Sequence, residues 1–148
     1  MSANTPGNFC WFELGTNDFD AAKAFYGALF GWDVEVNTDA GMPYGMVFHG
    51  GNSICGMYEL GPEMRDQGIP PHWMTYVATP DADATAAKAT ELGAIVMAGP
   101  FDVSTFGRMA AIADPTGAHV SIWEPKMHRG SDHIGPIGSF CWSELWTR

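Results

Sequence analysis

Basic residues are scarce in this sequence, and their scarcity limits the partners it can have. Seven Lys and Arg stand against 17 Asp and Glu, which gives a formal net charge of −10, and the acidic residues are spread along the chain. Such a charge repels phosphate backbones and anionic lipid surfaces, and it attracts cations. We therefore expect neither nucleic acid nor a membrane as a partner.

Cysteines are few, and long apolar runs and the common catalytic motifs are missing. The three cysteines, Cys10, Cys55 and Cys141, show no CxxC or zinc-finger spacing, which favours free thiols. No apolar run approaches the roughly 18 residues that span a bilayer, and no basic and apolar leader opens the sequence. GxSxG, Walker, dinucleotide-binding and HExxH motifs do not occur. Together these features predict a cytoplasmic protein.

Apolar residues, by contrast, make up 46% of the 148 residues, which is enough for a packed core. The segment FDAAKAFYGALF predicts a helix over 19–30, because its apolar residues recur at intervals of three and four. Asp18 is placed to cap this helix and Gly31 to end it. A strand-like run precedes the helix, and three short ones follow it, at 33–36, 44–49 and 53–60.

The same order of elements returns after a segment rich in Gly and Pro. Residues 62–71 show no apolar period and are predicted to be a linker. Beyond them the pattern predicts a strand, a helix at about 82–92 that Asp81 can cap, and three further strands. The sequence thus predicts an α+β fold of two βαβββ modules, which span residues 1–61 and 72–125.

The hexapeptide FCWFEL at 9–14 returns as FCWSEL at 140–145. The first copy begins the first module, so the second predicts an extra C-terminal strand that begins a further unit. The Gly-rich segment before it is predicted to be a linker, in which His128 and His133 are exposed to solvent. Residues 126–148 therefore form a linker and a repeated strand in this interpretation. Alternatively, the repeated strand adds to a sheet edge of a second copy and gives a swapped homodimer.

Strand, helix and three strands, twice over, resemble the vicinal oxygen chelate superfamily of glyoxalases, bleomycin resistance proteins and extradiol dioxygenases. The resemblance rests on FELGTNDFDAAKAFYGALFGW near the start and ADPTGAHVSIWEP near the end, and it covers about residues 8–125. The DPTG turn at 114–117 is its most specific part. The sequence looks closest to the glyoxalase-like members built as tandem units. The resemblance implies curled mixed sheets that form a cup around a ligand or a metal.

The resemblance also implies where a metal would bind, and the sequence departs from that pattern. Metal-dependent members use one residue from the first and one from the fourth strand of each module, usually His and Glu. The corresponding positions here are Trp11 or Glu13, Gly56, His72 or Met74, and Ser121. Glycine offers no side-chain donor and serine is a poor neutral ligand, whereas a metal needs three or four N or O ligands. We expect no metal cofactor; the alternative is a divalent ion such as nickel, zinc or iron, held by Glu13 and His72.

Strand alternation extends these positions to a face. Because side chains two apart on a strand share a face, His119 and Trp123 should accompany Ser121. Ile122 and Glu124 should point to the opposite side. The residues predicted to bind a ligand are Trp11, Glu13, Tyr58, His72, Met74, Tyr76, His119, Ser121 and Trp123.

Glu13 is the strongest candidate for a chemical role. A carboxylate in a cup lined by Trp11 and Trp123 would be desolvated, and its pKa would rise unless it were paired. Such a group suits a general base or the counter-charge of a cationic ligand. The alternative is a strand carboxylate at the rim with a purely structural role. His72 and His119 share that alternative, since exposed histidines are common at strand ends.

The aromatic wall and the acidic chain together predict a protein that binds a small hydrophobic or aromatic molecule, cationic ones included, in its cup. The first alternative is a metal-dependent lyase, isomerase or dioxygenase of glyoxalase type. The second is that the repeated C-terminal strand mediates strand-swapped dimerisation.

Overall fold

The computed structural model describes residues 5–38 and 43–147. The described residues form two successive βαβββ modules, which confirms the predicted α+β fold class. A short additional helix, α2, lies within the segment that the sequence suggested as a linker. The elements are β1 (Phe9–Thr16), α1 (Phe19–Phe30), β2 (Asp33–Asn37), β3 (Tyr44–His49), β4 (Asn52–Glu59), α2 (Pro62–Asp66), β5 (His72–Ala78), α3 (Ala82–Glu91), β6 (Ile95–Val103), β7 (Gly107–Ala113) and β8 (His119–Pro125).

The chain divides into two compact units that do not coincide with the modules. The first unit contains residues 12–74 and 131–141, and the second contains 5–11, 75–130 and 142–147 as far as they are described. Strand β1 is therefore divided between the two units: Phe9–Trp11 belong to the second unit and the rest of the strand to the first. The tail after β8 likewise contributes to both.

The first unit contains strands in the order β2-β3-β4-β1, with β1 parallel to β4 and the other pairs antiparallel. Its core lies between this sheet and α1, where Phe12 and Leu14 of β1 meet Phe19 of the helix. These alternate residues of β1 are buried, as the predicted alternation requires. The residues between them, Glu13 among them, therefore point to the opposite side of the sheet.

The second unit has the corresponding order β5-β8-β7-β6, with β5 parallel to β8. Helix α3 packs on it through Ala82 and Ala86, which meet Ile122 of β8. The carboxylate of Glu124 accepts a hydrogen bond of 2.9 Å from the backbone N–H of Ala82, at the start of the helix. Ile122 and Glu124 thus lie on the helix side of β8, as predicted.

Both long helices begin as their sequences predict. The Asp18 side chain accepts a 2.9 Å hydrogen bond from the N–H of Ala21, and the Asp81 side chain accepts one of 2.8 Å from Ala84. Helix α1 ends at Gly31, whose φ of 69° is a left-handed conformation that favours glycine. Among the described residues, no helix is both long enough and apolar enough to cross a bilayer.

The predicted turn at 114–117 is held together by one carboxylate. Asp114 accepts hydrogen bonds from the backbone N–H and hydroxyl of Thr116, both at 2.7 Å, and from the N–H of Ala118 at 3.0 Å. These donors hold the pKa of Asp114 below its usual value, the Thr116 hydroxyl most strongly. The turn joins β7 to β8 and so fixes the start of the strand that carries Ser121 and Trp123.

The predicted extra C-terminal strand is not formed, and residues 140–147 have no regular secondary structure. Phe140 instead turns into the first unit, where its ring stacks on Phe12 at a centroid distance of 4.1 Å. A strand needs a neighbouring strand for its backbone hydrogen bonds. Phe140 is held by its side chain instead, which packs on an apolar ring. Trp142 and Trp146 beyond it are exposed.

The segment predicted as a linker before Phe140 also packs on the first unit. The Ser131 hydroxyl donates to the carbonyl of Ile54 at 2.7 Å, and the Asp132 carboxylate accepts from the N–H of Ser53 at 2.9 Å. The indole N–H of Trp32 donates to the carbonyl of Gly138 at 2.7 Å. Hydrogen bonds at three separate points therefore hold this segment against the unit.

Candidate functional site

Strand register gathers polar side chains on the side of the first unit's sheet opposite α1. Two rows of four residues cross the strands β2, β3, β4 and β1 in that order. One row is Glu35, Met46, Gly56 and Glu13. The other row is Asn37, Tyr44, Tyr58 and Gly15. Directly opposed residues point to the same face of a sheet, so these rows define one surface, which we call the acidic face.

Glu13 and Tyr44 form the central contact of the acidic face. The Tyr44 hydroxyl donates a hydrogen bond of 2.7 Å to the Oε1 atom of Glu13. The two residues lie in different rows, so the phenol reaches diagonally across β4 to make the bond. An ionised carboxylate accepts such bonds strongly, and the contact fixes the orientation of both side chains.

Two glycines make room for the two tyrosine rings. A Cβ atom at Gly56 would collide with the hydroxyl of Tyr44, which therefore occupies the space above that residue. A Cβ atom at Gly15 would lie 2.9 Å from the Leu60 side chain and 3.1 Å from the Tyr58 hydroxyl, so the Tyr58 ring also lies close to Gly15. The missing side chains thus determine where the phenols lie.

The acidic face remains partly accessible while the other side of the same sheet is closed. Glu13, Tyr44, Met46 and Tyr58 are half-buried, whereas Met57, next to them in β4, is completely buried. Burial, together with the negative charge of Glu13, raises the pKa of Tyr58 to about 12. The Tyr58 phenol is therefore neutral at physiological pH and keeps a proton to donate.

The equivalent face of the second unit has a different character. Trp11, Tyr76, Ser121 and Trp123, which we call the tryptophan face, are all at most 6% exposed. Tyr76 and Trp123 contact each other edge to face with ring centroids 6.3 Å apart. The rings that the sequence placed in a ligand cup are here covered by the chain itself.

The residues at the positions implied for a metal do not fit one. In the first unit Glu13 is paired with Gly56, which has no donor atom, and the Tyr44 hydroxyl fills the space instead. In the second unit the register pairs Ser121 with Tyr76, rather than with His72 or Met74. In the described parts of the chain, no three His, Cys, Asp or Glu side chains are grouped so that they could hold a metal ion. Each unit thus falls short of the three or four N or O ligands that such an ion needs.

The predicted histidines stand at the starts of their strands. His72 opens β5, and its Nδ1 atom is 2.8 Å from the carbonyl oxygen of Pro70, within its own turn. His119 opens β8 and is exposed beside the Asp114 turn. Met74 is half-buried on β5, in the first unit. Of the nine residues predicted to bind a ligand, the structure places Glu13 and Tyr58 on the acidic face and four on the tryptophan face.

Tyr44, Met46 and Glu35 were not among the predicted site residues. Their strands were recognised, but no motif marks these residues, and their positions depend on how β3 pairs with both neighbours. The signal available in the sequence was Gly56 itself, because a glycine inside a strand indicates that another group approaches closely. The pairing of β3 with β4 was needed to identify the approaching group as Tyr44.

Comparison with known proteins places these observations in a family. Residues 9–122 match the family model described as the Glyoxalase/Bleomycin resistance protein/Dioxygenase superfamily. The chain is 38% identical over 139 residues to the Mycobacterium tuberculosis protein named "Putative glyoxylase CFP32", an alignment of 93% of this chain and 53% of that protein. It is 34% identical over 158 residues to the anthracycline biosynthesis protein DnrV of Streptomyces peucetius, which covers 99% of this chain and 58% of the relative.

The chain therefore spans little more than half the length of these curated relatives. Among solved structures, it is similar to methylmalonyl-CoA epimerase from Mycobacterium tuberculosis, with a TM-score of 0.55 and 19% identity over 80% of this chain and 87% of that one. A complex of methylmalonyl-CoA epimerase with methylmalonyl-CoA and NH4+ gives a TM-score of 0.58 at 20% identity, over 85% of this chain and 99% of that one. At such low identity the likeness concerns the fold.

Proposed function

The chain belongs to the glyoxalase/bleomycin resistance protein/dioxygenase superfamily, and from this we propose that it binds a small aromatic or hydrophobic molecule that carries a positive charge. The site is the acidic face of the first unit. One observation carries the proposal: the Glu13 carboxylate is held at 2.7 Å by the Tyr44 hydroxyl on a half-buried surface that also carries Tyr58.

Charge favours a cation at this face. Glu13 and Glu35 lie in one row across the four strands, and the whole chain carries a formal charge of −10. An anionic ligand would be repelled by both, whereas a cation gains attraction in surroundings that are partly shielded from water. Burial, and after it the charge of Glu13, raises the pKa of Tyr58, which supports a close electrostatic interaction between these two side chains.

The apolar part of the ligand has partners on the same surface. Tyr44 and Tyr58 offer phenol rings, and Met46 offers a flexible thioether beside Gly56. Aromatic faces attract cations and stack on planar molecules, and methionine adapts to irregular shapes. A planar ligand with a basic group would use both kinds of contact.

The name of one relative supports this class of ligand. The Streptomyces relative is named for anthracycline biosynthesis, and anthracyclines are planar polycyclic molecules, some of which carry an amino sugar. For this chain we propose a ligand class, molecules with an extended aromatic system and an ammonium group, rather than a particular metabolite.

The test is a calorimetric titration with an amino-sugar anthracycline and with the same molecule acetylated on its amine. We expect the cationic form to bind more tightly than the neutral form. Glu13→Gln should reduce this preference about tenfold, because it removes the counter-charge and keeps the shape. Glu63→Gln is the matched control, since Glu63 is an exposed carboxylate on α2.

Two results would count against the proposal. One is that neither form binds to the wild-type protein. The other is that Glu63→Gln and Glu13→Gln weaken binding of the cation equally, because the effect would then come from net charge and not from the acidic face.

We also propose that binding needs no metal, because the first unit presents a glycine where a second ligand would be required. Titrations with and without a chelator should agree. Metal analysis of the purified protein checks the alternative, and one equivalent of nickel, zinc or iron would favour a metal-dependent lyase, isomerase or dioxygenase.

A second candidate function, a metal-free isomerase, follows from the neutral state of Tyr58. Beside a carboxylate base, a phenol that stays protonated can donate a hydrogen bond to a carbonyl oxygen as it gains charge. Glu13 would take a proton from the carbon next to that carbonyl and leave an enolate, and a proton delivered from solvent to the opposite face would invert that carbon and complete an isomerisation, with the proton on Glu13 returned to solvent. In deuterated water, the protein should exchange that substrate proton for deuterium, and Glu13→Gln should abolish the exchange.

A further inference from the structure

The chain turns back on itself directly after β8. The backbone N–H groups of Lys126 and His128 both donate to the carbonyl of Phe106, at 3.0 and 2.9 Å. The N–H of Met127 donates to the carbonyl of Thr105 at 3.3 Å. These bonds tie residues 126–128 to the turn before β7 and hold them against the second unit.

This return brings His128 onto the tryptophan face, although the sequence predicted a solvated side chain. Its imidazole meets the Trp11 ring edge to face with centroids 4.4 Å apart, and the Trp123 ring at 5.8 Å. The indole N–H of Trp123 donates to the backbone carbonyl of His128 at 2.9 Å. One residue thus supplies both a planar ring and a hydrogen-bond acceptor to the face.

Two glycines fit the tail and the indole closely to the sheet. Gly130 has a φ of 99°, and a Cβ atom there would collide with the carbonyl oxygen of Cys10, so the tail passes directly against β1. A Cβ atom at Gly107 would collide with the Trp123 ring, which therefore lies directly against β7. Glycine is required at both positions if the tail and the indole are to keep these places.

A buried polar group on the same face is not used by the chain. Ser121 lies two residues before Trp123 on β8 and is completely buried, and its hydroxyl has no hydrogen-bond partner within the described residues. A buried hydroxyl without a partner is costly, and most buried hydroxyls find one. The tryptophan face therefore contains a hydroxyl group that the tail does not hydrogen-bond.

We infer that the His128 ring is a built-in occupant of the tryptophan face, in the place that a planar heteroaromatic ring next to a carbonyl acceptor from solution would take. The contacts that hold His128 are those that such a molecule would make: an indole edge, a second indole and the N–H of Trp123. A ligand from solution occupies this site only when the His128 ring leaves it. The inference does not depend on the proposed function of the acidic face.

The experiment uses His128→Ala with free imidazole as the probe. The substitution removes the ring and keeps the backbone carbonyl that Trp123 needs, and cavities of this kind bind small molecules of matching shape. At about ten times its dissociation constant, imidazole should raise the unfolding temperature of the variant by about 3–6 °C. It should also change the tryptophan fluorescence of the variant.

Wild-type protein and His133→Ala are the controls, because His133 is an exposed histidine of the same tail. Neither should respond to imidazole. Pyrrolidine, which is similar in size but not aromatic, should give a weaker effect on His128→Ala. The inference is overturned if folded His128→Ala does not respond to imidazole, or if His133→Ala responds equally.

A measurement on the wild-type protein decides the matter should the variant fail to fold. The ring protons of His128 lie near two indoles, so their proton resonances should be displaced from those of His119 and His133, which are exposed. Resonances of all three at the same position would overturn the inference.

Discussion

The hydroxyl of Tyr44 lies in the space that a side chain at Gly56 would occupy. The resemblance to metal-dependent members of the superfamily implies that this strand supplies a metal ligand in them. Here a phenol from the neighbouring strand takes that space and donates to Glu13. The carboxylate is therefore stabilised by a hydrogen-bond donor from within the same unit.

Gly56→Ala should destabilise the protein by forcing Tyr44 away from Glu13. We expect a loss of about 1–3 kcal/mol in the free energy of unfolding, as for other overpacked positions. In a Tyr44→Ala background the new methyl group meets no phenol, so the same substitution should cost much less. Urea unfolding of both single variants and the double variant measures this coupling.

Tyr58→Ala provides the control background for this double-mutant cycle. Tyr58 lies on the same face, but none of the atoms nearest to a Cβ at Gly56 belongs to it. Its coupling with Gly56→Ala should be near zero. Equal coupling in the two backgrounds would mean that the face responds to any loss of a ring, and would contradict the contact argued above.

Tyr58 should make the protein less stable at alkaline pH. Its pKa is about 12 in the folded chain against about 10 in an unfolded one, so between these values the folded state holds a proton that the unfolded state has lost. The contribution of Tyr58 to stability should therefore be intact below about pH 10 and be lost as the pH rises towards 12. Urea midpoints across this range provide the measurement.

Tyr58→Phe isolates the contribution of this phenol. Cys10 has a pKa raised in the same way, to about 12, and Cys55 is also raised, so part of the alkaline loss should remain in the variant. The decline above pH 10 should be shallower than in wild type. An unchanged decline would show that the pKa of Tyr58 is no higher in the folded protein than in the unfolded one.

The fold followed from local signals in the sequence. Asp18 and Asp81 marked the two helix starts, and the alternation around Glu124 correctly gave its side of β8. These features depend on neighbours along the chain or on a two-residue period, which a sequence displays directly. The number and type of elements in each module could therefore be predicted.

The site depended on contacts that no local pattern encodes. Tyr44 meets Glu13 across 31 positions of sequence, and His128 meets Trp11 across nearly both modules. The tail was interpreted as a linker because it is rich in glycine, yet Gly130 is what lets it pass against β1. Glycine indicates flexibility or close approach equally well, and only the partner atoms distinguish the two.

Cys141 should be the one cysteine that reacts rapidly in the folded protein. It is exposed, whereas Cys10 and Cys55 are buried and their pKa values are raised by desolvation, which keeps them as thiols. At about pH 8, an aromatic disulfide reagent should modify one thiol quickly and the other two only after denaturation. Cys141→Ser should lose the fast phase, and a fast phase that survived in this variant would contradict the burial of the others.

Phe140→Ala should destabilise the first unit, although the residue lies in a segment without regular structure. The ring stacks on Phe12 and also contacts Trp32 and Trp73, so its loss leaves a gap beside the core of that unit. Because Phe140 is half-buried, we expect a cost of about 2 kcal/mol, below that of a fully buried phenylalanine. Denaturant unfolding of the whole chain measures it.

Trp142→Ala is the control for this change. Trp142 belongs to the same repeated hexapeptide but is 76% exposed, so its removal should alter the free energy of unfolding by less than about 0.5 kcal/mol. If both substitutions cost the same, the hexapeptide acts as one element with both rings engaged, as a paired strand would. If only Phe140→Ala is costly, this copy of the hexapeptide serves the first unit through a single anchoring ring, because its backbone has no strand partner there.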